Sequence, residues 1–352
     1  MKILVTGAAG FIGASTVKKL LEEGNEVIGI DNINEYYDPN LKFKRLNCLG
    51  INEEAAGEWC KPVKSELYPD FTFMRMDIAD KECASRLFEE HHFDSVVHLA
   101  AQPGVRYSIT HPQVYIENNI NGFLHVLEGC RQTKVGHLVF ASSSSVYGLN
   151  GKTPFSEQDT TAHPVSLYAA TKKSNELMAH AYSYIYGLPV TGLRFFTVYG
   201  PWGRPDMSPF LFMDGILNDK PIKVFNNGDM LRDFTFIDDI VESVARIVKI
   251  IPQRQENWDA QNPDPSSSSA PYRIYNVGNQ NPTKLSDYIE AIENEIGKKA
   301  AKEMLPMQPG DVYQTFADSS ALAEATGFTP GVCLKDGIRE TVKWYKEFYK
   351  NK

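Results

Sequence analysis

Three glycines, Gly7, Gly10 and Gly13, stand between a short apolar run (Ile3, Leu4, Val5) and a helical pattern that begins near Phe11. No other feature narrows the fold as much. An apolar run of that length reads as a strand buried on both faces. The helical pattern continues to about Glu23 and stops at Gly24-Asn25. Without a Cβ, the main chain can turn tightly, and a pyrophosphate can approach the N–H groups at the helix start. The third glycine lets helix and strand pack closely. A second run, Glu26–Ile30, ends at Asp31, at the spacing where an acidic residue grips an adenosine ribose. A carboxylate there accepts from both ribose hydroxyls and repels a 2′-phosphate, which selects NAD over NADP.

The 352 residues can bury a large core and are expected to form two lobes. Hydrophobic content of 42% and charged content of 23% are ordinary for a globular chain. No apolar stretch is long enough to cross a bilayer, and the first strand begins at once, so a cytoplasmic protein without a signal peptide is expected. A net charge of −8 with no basic run argues against nucleic acid as a partner. The five cysteines are scattered and odd in number, as expected of reduced thiols, and the eight histidines show no metal-ligand spacing. No metal is expected. His91-His92 reads as the solvated end of a helix.

Strands alternate with helical patterns through the first half, which predicts an α/β fold with a doubly wound parallel sheet. Asn32–Pro69 is a long excursion with a helix near Pro39–Leu49 and a polar loop around Trp59, and nothing in its residues points to a function. Phe71–Asp77 resumes the sheet, with Asp77-Ile78 at its end where an adenine could lie. Ser95–Ala101 ends in small residues that let a cofactor pass. A helix is expected over about Pro112–Arg131, its face of Tyr115, Asn119, Phe123 and Val126 read as core, or else as a dimer face. Gly192–Tyr199 reads as one further strand. Gln253–Pro271, with four consecutive serines, reads as a surface loop. The division expected is 1–199 with 234–250 and 272–279 as the dinucleotide-binding lobe. Residues 200–233 and 280–352 would form a smaller α/β substrate lobe, with 251–271 as the loop.

Ser142–Ser145 follow the strand His137–Ala141, and Tyr168 and Lys172 lie four apart at the start of a long helix, hence on one face. Such a tyrosine and lysine are common on any helix. Downstream of a nucleotide fold, and with a serine at a strand end, they form a catalytic set. A phenol titrates near pH 10, too high for a base at neutral pH, and a neighbouring ammonium with a nicotinamide's positive charge is expected to lower it.

With these residues in view, the chain resembles the extended short-chain dehydrogenase/reductase family of nucleotide-sugar enzymes. Within it, the chain is most similar to the UDP-glucuronate 4-epimerases. The matching segments are Thr6–Gly13, His98–Gln102, Val105–Ser108, Ser143–Tyr147, Tyr168–Lys172, Leu193–Asp206, Arg232–Phe236 and Pro309–Asp311. The resemblance implies Tyr168 as base, Lys172 as its electrostatic partner and a ligand of the nicotinamide ribose, and Ser143 as hydroxyl donor, since it stands four before Tyr147. The cofactor, NAD, is expected to lie on Gly7, Gly10, Phe11, Ile12, Gly13, Asp31, Asn32, Asp77, Ile78, Leu99, Ala100, Ala101 and Asn118, together with Tyr168 and Lys172.

The implied reaction oxidises the sugar's 4-hydroxyl, turns the 4-keto sugar over while its diphosphate stays anchored, and reduces it on the other face. Dehydratase and decarboxylase relatives carry carboxyl side chains where this chain has Ser144 and Ser145, and a hydroxyl does not shuttle protons as a carboxyl does. Simple epimerisation of a UDP-sugar fits what remains. Epimerases of neutral or N-acetylated UDP-hexoses and UDP-glucuronate decarboxylase are the alternatives.

Ser144 and Ser145 are candidates for substrate contact, and Thr197 and Arg204 for the sugar carboxylate. The other reading of Arg204 is a surface ion pair with Asp206. Arg106 is a further candidate. Arg232 matches the family's diphosphate arginine, or else pairs with Asp233 or Asp238. Gln308 replaces an arginine that some members carry before Pro309-Gly310-Asp311, which leaves Arg273 as a guess for a second diphosphate cation and Asp311 as a substrate contact. The resemblance also implies a homodimer through two helices per subunit.

Overall fold

In the computed structural model, which describes residues 1–308 and 310–349, Ile3–Val5 lies in the strand Lys2–Thr6 near the centre of an eight-stranded sheet. In spatial order the strands are Tyr272–Val277, Val190–Phe195, His137–Ser143, Ser95–His98, Lys2–Thr6, Glu26–Asp31, Phe71–Arg75 and Pro62–Lys64. All neighbours run parallel except the last pair, where the excursion adds a short antiparallel edge strand. Strand order reverses at Lys2–Thr6, flanked by Ser95–His98 on one side and Glu26–Asp31 on the other. In such sheets ligands bind beyond the carboxyl ends at that reversal.

The alternation of side chains explains why the strands are apolar throughout. Ile3 and Val5 join the core on one face, Leu4 the core on the other, and all three are fully buried. Burying each contributes about 1.5–3 kcal/mol. The helix Phe11–Glu22 packs on the first face beside Ile237–Ile247. A third core gathers Tyr199, Phe210, Phe234, Phe236, Tyr288 and Ile338 around two small sheets: Pro282–Lys284, Leu231–Phe236 and Thr197–Tyr199 in one, Lys302–Leu305 and Ile222–Phe225 in the other. The helix Ile237–Ile247 serves both sides, Ile240 and Val244 in the first core and Val241 in the third.

Three expectations change. The strand expected over Gly192–Tyr199 breaks at Phe196: Val190–Phe195 belongs to the large sheet and Thr197–Tyr199 to a small one. The chain thus changes sheets where it enters the site. The helical stretch from Pro112 is not uniform, because Ile116–Gly122 winds as a π-helix, a form concentrated at functional sites. The end of the serine-rich loop is not surface, since Ser266, Ser267 and Ser268 are 3–7% exposed and the Ser266 carbonyl accepts from Ile274 N–H.

The Tyr115, Asn119, Phe123 and Val126 face is buried within the chain, which removes it as a dimer face. The thiols of Cys60 and Cys83 stand 3.3 Å apart, in hydrogen-bond contact and not joined by a disulfide. No helix among the described residues is long and apolar enough to cross a membrane. Pro309 of the Pro309-Gly310-Asp311 segment lies outside the described residues.

Candidate active site

A cleft of about 1090 Å³ opens along the carboxyl ends of the large sheet and is closed on its far side by the third core's elements. The glycine turn forms one end. Gly7 sits at φ +74°, and a Cβ on Gly13 would stand 1.9 Å from the Gly7 carbonyl oxygen, so no other residue fits there. Gly10 begins the helix without a side-chain cap, and the helix's first turn lines the cleft, an arrangement suited to an anion. Asp31 takes N–H bonds from Ala9 (3.1 Å) and Ile33 (2.8 Å), which orient its carboxylate at the cleft wall.

Gly7, Gly10, Phe11, Ile12, Gly13, Asp31, Asn32, Ile78, Leu99, Ala100, Ala101 and Asn118 all line this cleft. Asp77 does not. It stands behind Asn32, accepting from Asn32 Nδ2 at 3.0 Å and from Ala79 N–H at 2.8 Å. The strand-end loop is held by Asn119, which accepts from Gln102 N–H and donates to the Gln102 carbonyl and to Thr171 Oγ1. The turn admits a diphosphate and Asp31 a ribose, so these residues fit a dinucleotide.

Ser166 caps the helix Leu167–Tyr186 and places Tyr168 in its first turn. Four serines were available for the hydroxyl role, and the structure separates them. Ser142 Oγ donates to Glu176 Oε1 at 2.7 Å, deep in the core. Ser143 faces the Tyr168 phenol and contacts Ser145 Oγ at 3.2 Å. Ser144 and Ser145 line the cleft beside it.

Lys172 is 3% exposed, donates to the Ala141 carbonyl at 2.8 Å, and is brought down to about 8 by burial. The phenol does not behave as expected for the chain by itself. Burial raises Tyr168 above its ordinary value, and it is the Ser143 hydroxyl and the charge of Arg204, not Lys172, that pull the other way.

At the other end, Arg204 pairs with Asp206, Nε to Oδ1 at 3.0 Å and Nη2 to Oδ2 at 2.8 Å, so the ion pair considered for it forms, and the side chain also lines the cleft. Thr197 lines the same wall. Arg106 pairs with Asp311 at 3.1 Å and lies 4.5 Å over the Phe225 ring. Arg232 makes neither ion pair considered for it. It donates to the carbonyls of Leu231, Val312 and Tyr313, and Asp233 instead accepts from Asn279, Gln280 and Ala317 N–H groups.

Arg273 is a correction: it faces Asp264 at 3.7 Å and the Tyr275 ring, and is not part of the cleft lining. Its strand, Tyr272–Val277, is the outermost on that edge. Tyr36, Lys42 and Phe225 line the cleft and were not anticipated; the first two come from the excursion. An aromatic pair directly after the Asp31 strand, Tyr36-Tyr37, was the available signal.

The NAD dependent epimerase/dehydratase family matches residues 3–278. The chain belongs to that family. NAD is its cofactor, in agreement with the glycine turn and Asp31. Protein CapI of Staphylococcus aureus is 49% identical over 99% of this chain and 100% of its own length. A probable UDP-glucuronate 4-epimerase of Rhizobium meliloti is 42% identical, over 99% of this chain and 98% of its own. The crystal structure of UDP-glucuronic acid 4-epimerase from Bacillus cereus, in complex with UDP-glucuronic acid and NAD, superposes with a TM-score of 0.83 at 33% identity, covering 99% of this chain and 100% of that one.

Proposed function

We propose that this chain is an NAD-dependent UDP-glucuronate 4-epimerase that interconverts UDP-glucuronate and UDP-galacturonate through a transient 4-keto sugar. The observation that carries the reading is the meeting, in one cleft, of Ser143 and Tyr168 with Arg204, whose charge is felt at the Tyr168 phenol. The full-length likeness to an epimerase holding UDP-glucuronic acid and NAD supports it.

Asp31, the glycine turn and Lys172 would hold NAD, which when bound would supply hydride acceptance and return. Tyr168 takes the proton of the sugar's 4-hydroxyl, and Ser143 holds that oxygen in line. Loss of hydride from C4 and of the proton from oxygen leaves a ketone. Arg232, with Arg106 at the cleft mouth, anchors the diphosphate while the sugar turns its other face, and Tyr168 returns the proton as C4 is reduced.

Arg204 and Thr197 receive the sugar carboxylate, a group the guanidinium fork can grip bidentately. Ser144 and Ser145 put hydroxyls, not carboxyls, beside the ketone, so elimination and decarboxylation lack their proton shuttle.

Most of residues 1–199, 234–250 and 272–279 form the NAD lobe, and most of 200–233, 280–308 and 310–349 the sugar lobe, although Thr197–Tyr199 and residues 234–236 lie in a small sheet of the third core. The helix Ser320–Thr326 is an exception, because Leu322 packs in the first core. The chain pairs with a second copy through the exposed apolar side chains Ile116 and Leu124 on one helical stretch and Leu177 and Ile185 on the next. It works in the cytoplasm, where its free thiols stay reduced.

Incubation of the purified protein with UDP-glucuronate tests the reading. UDP-galacturonate is the expected product; UDP-xylose, or conversion of UDP-glucose alone, contradicts it.

A further inference from the structure

The excursion after Asp31 reaches across the molecule through two side chains. Arg45, on the helix Pro39–Cys48, is 2% exposed, and its recorded hydrogen bonds among the described residues go to carbonyls and a hydroxyl. Its Nη1 donates to the Ala9 carbonyl inside the glycine turn (3.0 Å) and to the Tyr37 hydroxyl (2.7 Å). Its Nε and Nη2 donate to the Trp202 carbonyl (3.1 and 2.6 Å), and Nη2 also reaches the Gly203 carbonyl at 3.4 Å. One planar fork therefore ties the cofactor turn to the segment immediately before Arg204. Trp202 is held there at φ +64°, a conformation a tryptophan adopts only when its surroundings impose it.

Tyr36 acts two residues beyond. Its hydroxyl donates to Asp206 Oδ2 at 3.0 Å, and its ring packs edge-on against Tyr107 with centroids 4.9 Å apart. The hydroxyl reaches Asp206 past Gly104, where a Cβ would stand 2.6 Å from it. Asp206 in turn fixes the Nε/Nη2 edge of Arg204, and among the described residues no acceptor holds Nη1. Nη2 also reaches Met207 Sδ at 3.5 Å, which leaves the Nη1 N–H groups for a second carboxylate.

We infer that Tyr36 and Arg45 are positioning residues that set the preference for an acidic sugar by fixing the Trp202–Asp206 segment and, through it, the orientation of Arg204. The inference rests on the reading of Arg204 as the partner of the sugar carboxylate. Tyr36 bonds Asp206 and Arg45 bonds the Trp202 and Gly203 carbonyls, so the loss of either is expected to reach the sugar carboxylate through the segment that carries Arg204. The energetic logic is that of an arginine pre-organised by its own carboxylate: it gives up less freedom when it binds a second one.

The test is calorimetric titration of the NAD-loaded enzyme with UDP-glucuronate and, separately, UDP-glucose. The proteins compared are wild type, Tyr36→Phe, Arg45→Lys and Arg204→Ala. Tyr36→Phe keeps the ring and removes one hydrogen bond to a charged group. It is expected to reduce the preference for UDP-glucuronate about tenfold, with UDP-glucose binding unchanged. Arg45→Lys, which cannot span both segments with a fork, is expected to do the same.

A residue that merely stabilises the fold would lower the melting temperature and weaken both ligands alike, and that result overturns the inference. If Arg204→Ala destroys the preference while Tyr36→Phe retains it, the inference alone fails. If Arg204→Ala retains the preference, or wild type shows none, the reading of Arg204 fails with it.

Discussion

Glu176 and Arg194 form a buried ion pair beneath the proposed catalytic residues, and its two halves are unequally supported. The side chains are 1% and 0% exposed, with Arg194 Nε 2.8 Å from Glu176 Oε1 and Nη2 2.9 Å from Oε2. Glu176 has further partners, the Ser142 hydroxyl at 2.7 Å and the Lys173 ammonium at 3.1 Å. Burial pushes its carboxyl up, and Arg194 and Lys173 more than reverse this, so it ends below its ordinary value. Among the described residues, Arg194 has only Tyr147 besides Glu176: its Nη1 donates to the hydroxyl at 3.0 Å, and the guanidinium carbon lies 4.9 Å from the centroid of the same ring.

Removing one member of such a pair strands the other at a cost of about 3–5 kcal/mol. Glu176→Leu, which isolates the guanidinium, should lie at the top of that range. Arg194→Leu should cost less, about 2–3 kcal/mol, because Lys173 and Ser142 still satisfy the carboxylate. The double variant should recover part of the loss, since two apolar side chains need no partners. Urea unfolding of the NAD-saturated proteins, read as midpoint shifts, measures all three. Equal losses for the single variants, or a double variant as unstable as their sum, would refute the reasoning.

Four further outcomes follow from the geometry. Tyr168→Phe removes the proposed proton acceptor and should lower kcat by about 10²–10⁴ while NAD content is unchanged, as followed by an NMR time course and the cofactor released on denaturation. Gly13→Ala places a methyl 1.9 Å from the Gly7 carbonyl, so the purified protein should carry little NAD, read from its absorbance. His98 and His137 are held neutral by burial, at about 3 and about 4 against an ordinary 6.5. The unfolded chain therefore binds protons first as pH falls, and each should remove about 1.4 kcal/mol of stability per pH unit below 6.5; a flat unfolding midpoint between pH 6.5 and 5 would contradict this. Leu177→Glu, at a side chain 61% exposed, should shift the proposed dimer to monomer in sedimentation without loss of fold.

What could be read in the sequence was local. The glycine turn announces itself because a Cβ at Gly13 has nowhere to go, and Tyr168 and Lys172 share a face because a helix repeats every 3.6 residues. The alternating buried strands were legible for the same reason. Contacts between distant segments left no such trace. Arg45 meets Trp202 across 157 positions and Tyr36 meets Asp206 across 170, and nothing in the excursion's composition marks either reach. The change of sheet at Phe196 was hidden because an apolar run looks the same whether it stays in one sheet or enters another. Arg273 was misplaced because charge alone does not tell a cleft arginine from one at a sheet edge. The raised phenol of Tyr168 follows from burial, which the spacing of tyrosine and lysine does not report.

The central claim is that hydride leaves C4 of the sugar and comes back to the same carbon within one binding event. UDP-glucuronate carrying deuterium at C4, incubated with the enzyme and no added cofactor, tests it by mass and NMR analysis of the product. The account predicts UDP-galacturonate with its deuterium retained at C4; product that has exchanged deuterium for solvent hydrogen, or that forms only when NAD is continually supplied, would contradict it.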